Sequence, residues 1–274
     1  SKENAASDFV RIGRRPVRFW LKTRPLPEGW TPTGPTDDAK QPPVEVVATD
    51  VKEKHWLEKD LHPLLADFAR TRLDGVRVKT IHHSLSTKKS YGEWVHPDIV
   101  GARFPMSALD EKTTVDFASA VRAPLLRLFS FELKRSVDFG NLREAFFQAV
   151  SNSSWAHEGY LVAARWRLEE EEFMDELSRL SQSFGIGAIH LNLEDTTQSA
   201  VLFQARVRDE LDWTTLDKLV AMNPDVAQFL ETVRIDLNAS KIHEGEYDQA
   251  PKDPGEYAKG LLAGGTVKGK KSPA

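Results

Sequence analysis

The chain has 274 residues, 40% of them apolar and 28% charged, with no cysteine and a net charge of −4. That length holds one large α/β domain or two modest ones. The missing cysteines exclude disulfides, thiolate zinc sites and cysteine nucleophiles, no run approaches the ~20 apolar residues of a membrane span, and the acidic balance confines any nucleic-acid contact to a local basic cleft.

The chain opens at Ser1 without a methionine or a signal-peptide pattern, which reads as a trimmed start, and a cytoplasmic location is expected. Residues 9–22 alternate short apolar runs with an Arg14-Arg15-Pro16 turn, the pattern of a two-stranded ribbon. It is either the wing of a winged-helix module, of which 1–22 would be the remnant, or a peripheral hairpin of the main domain. Residues 23–43 hold six prolines among polar residues and read as a linker. Globular character returns at Val44, and a domain is expected over 44–239.

Within it, Leu57, Leu61, Leu64, Leu65 and Phe68 form a helical stripe in which Pro63 marks a kink or a restart. Strands are expected over 75–85, 93–104, 125–134, 159–166, 188–193 and 199–207, with helices over 108–122, 141–156, 168–184 and 214–233. Asn223-Pro224 divides the last helical stretch, and Gly185 ends the one before it. Strands and helices interleaved in this way describe a mixed β-sheet flanked by helices. From about residue 240 to 274 the chain is rich in Gly, Lys and Pro and reads as a disordered tail.

The chemistry concentrates in Phe129-Ser130-Phe131-Glu132-Leu133-Lys134. In a strand Phe129, Phe131 and Leu133 share one face, while Ser130, Glu132 and Lys134 share the other. Two charges near a core need either each other or a metal and its water. One strand earlier, Pro97-Asp98 opens an apolar run, and proline suits such a start because it lacks an N–H. If those strands are neighbours, Asp98 and Glu132 converge on one Mg²⁺ (or Mn²⁺). Lys134 would then orient or help deprotonate an attacking water and offset charge on the phosphorus.

Pro97-Asp98 followed by Glu132-Leu133-Lys134 resembles the signature of the PD-(D/E)XK, or restriction-endonuclease-like, nuclease superfamily. The segments WVHPDIVG, FSFELK and FFQAVSNSSWAHEGYLVA are further similar to the HrgA-like bacterial family, over roughly residues 55–205. That resemblance implies a restriction-endonuclease-like α/β domain preceded by a HARE-type helix-turn-helix module. It also implies a Mg²⁺-dependent endonuclease acting on DNA, in restriction or phage defence. Glu58 matches the glutamate that such domains carry on their first helix, as a third metal ligand; the other reading is an ordinary boundary glutamate. Gln148 matches a polar residue near the site on the helix after the Glu-x-Lys strand.

Gln148, Asn152 and Trp155 share a helical face opposite Phe146 and Val150, which either lines a cleft or is half solvated. Nucleic-acid contacts are expected from Lys88, Lys89, Arg135, Arg143 and Asn152. His82 and His83 read as a strand end and His96 as structural. An RNA nuclease, or a non-catalytic DNA-binding protein on the same fold, are the competing expectations. A homodimer is a further one, since cutting two strands takes two sites.

Overall fold

A computed structural model describes residues 9–12, 18–21, 25, 56–86, 96–104, 111–120 and 126–264. The chain divides into two compact units, 1–52 and 53–274. In the first, β1 (Phe9–Ile12) pairs antiparallel with β2 (Arg18–Leu21), Phe9 opposite Leu21, as the ribbon pattern predicts. The linker expected over 23–43 lies outside the described residues except for Pro25.

The second unit is α/β. Its strands are β3 (Arg77–Thr80), β4 (Ile99–Arg103), β5 (Arg127–Val137), β6 (Glu158–Trp166), β7 (Gly187–His190) and β8 (Ala200–Phe203). They form one mixed, open six-stranded sheet in sequence order. Antiparallel pairs lie at β3–β4, β4–β5 and β7–β8, and parallel pairs at β5–β6 and β6–β7. The parallel pairs are joined by crossover helices, α3 (Leu142–Ser151) and α4 (Glu171–Phe184), as parallel neighbours require. The other described helices are α1 (His62–Arg72), α2 (Lys112–Ala120), α5 (Trp213–Met222), α6 (Pro224–Ala239) and α7 (Pro254–Leu262).

Local chemistry sets these boundaries. Pro63 occupies the first turn of α1, where its missing N–H costs nothing, and a 3-10 turn (Glu58–Leu61) precedes it, so the helix restarts rather than kinks. Glu171 and Glu172 sit in the first turn of α4, against the positive helix end. Gly185 closes that helix at φ 74°, a left-handed conformation that costs glycine nothing. Asn223 ends α5 and also caps α6, its side chain accepting from the Asp225 amide, with Pro224 as the next residue.

Alternation along β5 and β6 gives the sheet two apolar faces. Phe129, Phe131, Leu133, Tyr160 and Val162 pack with α1 and with Ala258 and Leu261 of α7. On the other face, Leu161 and Ala163 pack with α3 and α4, while Val100, Ala102 and Leu128 pack with α5 and α6.

Two sequence expectations change. The tail expected to be disordered from 240 is ordered as far as Gly264 and carries α7. Its Gly/Lys/Pro composition hides three apolar anchors, Tyr247, Ala258 and Leu261, all buried. The strand expected over 75–85 ends at Thr80 and gives way to a 3-10 turn, His83–Leu85, with consequences for the site.

Candidate active site

β4 and β5 are hydrogen-bonded neighbours with Ile99 opposite Phe131. One step further along the same register sets Asp98 against Glu132. Asp98 bridges the strands directly: its Oδ2 accepts from the Leu133 amide at 2.7 Å. The Lys134 ammonium donates to Glu132 Oε1 at 2.8 Å, so the alternation read from the sequence does bring the two side chains together. Glu132 is 6% exposed, and its other oxygen accepts from Asn152 Nδ2 at 3.0 Å. The end of α3 is held by its backbone, where the Asn152 carbonyl accepts from Ser130 Oγ at 2.9 Å and from Trp155 Nε1 at 2.8 Å.

The electrostatics of the two acids diverge. Burial and then the nearby Asp98 charge push the Glu132 carboxyl above its ordinary range, and Lys134 and Asn152 offset this only in part. Burial also raises Asp98, but bonds from His83 and the Leu133 amide, with the Lys134 charge, bring it net below its ordinary value. Burial would lower Lys134, yet the Glu132 carboxylate dominates and holds the amine above its usual value. Lys134 is therefore an ammonium here, a donor and a counter-charge rather than a base.

Histidines surround Asp98 in a way the sequence did not indicate. His83 Nε2 donates to Asp98 Oδ1 at 3.1 Å, and that bond raises the imidazole above its ordinary value. His83 also meets the His96 ring edge-on at 4.3 Å. Asn223 Nδ2 donates to Ser86 Oγ at 2.8 Å, which leaves the Ser86 proton for His96 Nε2 at 2.6 Å. His62 is lowered mainly by burial, against the pull of Asp98. The reading of His83 as a strand end fails because the 3-10 turn after β3 brings it against Asp98 and His96, just before β4. No spacing rule marks such a contact, though two histidines, His83 and His96, within fifteen residues of Asp98 were a composition signal.

The remaining expected residues divide. Glu58 is exposed, yet near enough to Lys134 to help raise it. Gln148 Oε1 and Asn152 Oδ1 are buried with no hydrogen-bond partner among the described residues, an unmet acceptor capacity on the α3 face expected to line a cleft. Asn152 itself is 4% exposed and bound to Glu132, so it positions the carboxylate and is not open to a nucleic-acid strand. Arg135 lies on the Leu133 side of β5, with its guanidinium 5.1 Å from the Trp56 ring centre, away from the site. Arg143 is paired with Glu176 of α4 at 3.0 Å. Lys88 and Lys89 lie outside the described residues.

Among the described residues no three acidic or histidine side chains close into a metal cage, and Glu58 does not complete such a group. The donor set that remains is two facing carboxylates. That suits a hard cation which keeps most of its water, as Mg²⁺ does, better than one that needs a full protein cage. The facing of the two acids across β4 and β5 is the observation behind the fit, because a divalent cation between them would offset their mutual repulsion.

Compared with models of protein families, with curated proteins and with solved structures, the chain matches none.

Proposed function

We propose that the chain is a Mg²⁺-dependent endonuclease of the restriction-endonuclease-like type that hydrolyses phosphodiester bonds of DNA. One observation carries the reading: Glu132 and Asp98 face each other across β4 and β5, with the Lys134 ammonium 2.8 Å from Glu132. Asp98 and Glu132 would hold the ion, which supplies Lewis-acid activation of the phosphodiester when bound. Lys134 offers a fixed positive donor to the charge that develops on the phosphoryl oxygens. Asn152 keeps Glu132 from turning away, and the Leu133 amide does the same for Asp98. His83 covers one Asp98 oxygen and stands within reach of a proton released near it. Restriction or phage defence is the setting that the resemblance suggests, and Mn²⁺ would serve in place of Mg²⁺.

Cleavage of labelled duplex DNA with and without Mg²⁺ tests the proposal, beside single-stranded DNA and RNA as alternative substrates. Asp98→Asn, Glu132→Gln and Lys134→Ala should each lower the rate on the order of 10³-fold, the weight of several kcal/mol of transition-state stabilisation. Mg²⁺ should raise the melting temperature of the wild type and not of Glu132→Gln. Cleavage that survives all three substitutions would overturn the assignment. A second reading has an observation of its own: both Glu132 oxygens already have donors, so the cluster could be a closed structural ion pair in a DNA-binding protein. Metal-independent DNA binding without cleavage of any substrate would select it.

A further inference from the structure

At the far end of β4 and β5 the same register that opposes Asp98 and Glu132 sets Arg103 directly opposite Arg127. The separation from Asp98 is five residues of strand, about 17 Å. Like charges in cross-strand register are destabilising unless something neutralises them. Arg127 is neutralised: it donates to Glu158 at 3.2 Å, and the other Glu158 oxygen accepts from the Tyr160 hydroxyl at 2.9 Å. Glu158 is thereby used up. Arg72 has a local reason to be where it is, since it sits in the last turn of α1, where cations complement the helix dipole.

Arg103 has no such account. Its side chain is 20% exposed, and its one acidic partner among the described residues, Asp74 at 3.2 Å, is 76% exposed and largely solvated. Its Nε is buried with no acceptor among the described residues. A stranded donor on a charged group is unfavourable, and Arg103, Arg127 and Arg72 line one cavity of about 240 Å³, beside two acidic residues among those described, Asp74 and Glu158.

We propose that this cavity is a binding site for a phosphate-class oxyanion held by Arg103, Arg127 and Arg72. A tetrahedral anion presents oxygens toward three guanidinium groups at once, each a charged donor to oxyanions. The cavity is smaller than the roughly 300 Å³ at which pockets for larger organic ligands begin, so it takes a phosphoryl group rather than a whole nucleotide. The site faces α1 and lies at the opposite end of the strand pair from Asp98 and Glu132, so it stands independently of the nuclease reading.

The test is thermal unfolding of the full chain in chelator, titrated with inorganic phosphate against chloride at matched ionic strength. The wild type should show a saturable rise in melting temperature. Arg103→Ala should bind phosphate about tenfold more weakly or worse, the weight of one charge-assisted hydrogen bond. That variant strands no buried acceptor among the described residues, because the Arg103 Nε donates to none of them and Asp74 is solvated. Should it still fail to fold, Arg103→Lys keeps the charge and removes the planar guanidinium, with the same expected loss. Arg143→Ala, an arginine on another face, should bind phosphate as the wild type does. No saturable rise in the wild type, or an unchanged affinity in Arg103→Ala and Arg103→Lys, overturns the proposal. Competition by a 5′-phosphorylated oligonucleotide and not by its 5′-hydroxyl counterpart would identify a strand end as the source of the phosphate. Competition by neither would identify the free anion.

Discussion

Two acids are buried in this domain by opposite means. Asp236, with no exposed surface, sits in the last turn of α6, where the helix dipole disfavours a carboxylate. Three donors compensate: its oxygens accept from the Tyr247 hydroxyl at 2.7 Å, from His243 Nδ1 at 2.5 Å and from the His243 amide at 3.2 Å. Glu132 is nearly as buried, but beside its two donors it faces a second carboxylate, and the amide oxygen of its partner Asn152 goes unpaired among the described residues. A buried acid whose oxygens are met by three donors is an anchor. One that faces another acid holds a tension that a ligand can discharge.

The largest effect expected from breaking this contrast lies on the anchor side. Asp236→Ala strands the buried Tyr247 hydroxyl and the His243 amide, and should cost about 3 kcal/mol in urea unfolding. Because those donors tether residues 240–264, limited proteolysis should cut that segment first. Mg²⁺ should not rescue it. Glu132→Gln should behave in the reverse sense. A carboxyl whose folded pKa is raised loses stability as pH climbs from its ordinary range through the raised value, so removing its charge should leave the neutral-pH protein as stable or more so. A Glu132→Gln protein that unfolds as readily as Asp236→Ala would erase the distinction.

A smaller effect isolates the positioning of Glu132. Asn152→Ala removes one donor to the carboxylate but leaves the backbone bonds from Ser130 and Trp155 intact. Stability should fall by about 1 kcal/mol, the net worth of one hydrogen bond. Mg²⁺-dependent stabilisation should weaken with it, since the carboxylate is freed to turn. Unchanged metal dependence alongside lower stability would make Asn152 part of the scaffold only.

How much of this was legible follows the range of the interactions. Strand alternation alone brings Glu132 and Lys134 to one face, and nearest-neighbour pairing of β4 and β5 adds Asp98; both are short-range rules. The same alternation argues against Arg135 as a site contact, because it falls on the Leu133 face. Arg143 needed knowledge of Glu176, thirty-three residues on. The ordered C-terminal segment was hidden because composition was weighed over its few large anchors, and a single Tyr247 bound to Asp236 outweighs several glycines. Arg103 opposite Arg127 follows from register, which no pattern of hydrophobic residues fixes from the sequence of one strand.

The smallest effect concerns His83, the residue that bonds Asp98 and that strand periodicity concealed. Its imidazole is held above its ordinary value of 6.5, first by the bond to Asp98, with burial opposing. A raised folded value means that the stabilisation is fully present below 6.5 and is lost as pH rises through the folded pKa. Metal-free wild type should therefore lose stability on the alkaline side of 6.5, and His83→Gln should flatten that slope. The change should be modest, because the side chain is 56% exposed and solvent screens the pair. Asp98 keeps its Leu133 amide bond in the variant, so the fold should survive and the slope be readable. An unaltered slope would mean that the pair adds nothing to stability in solution. The contrast between anchor and site would then rest on Asp98, Glu132 and Lys134 alone.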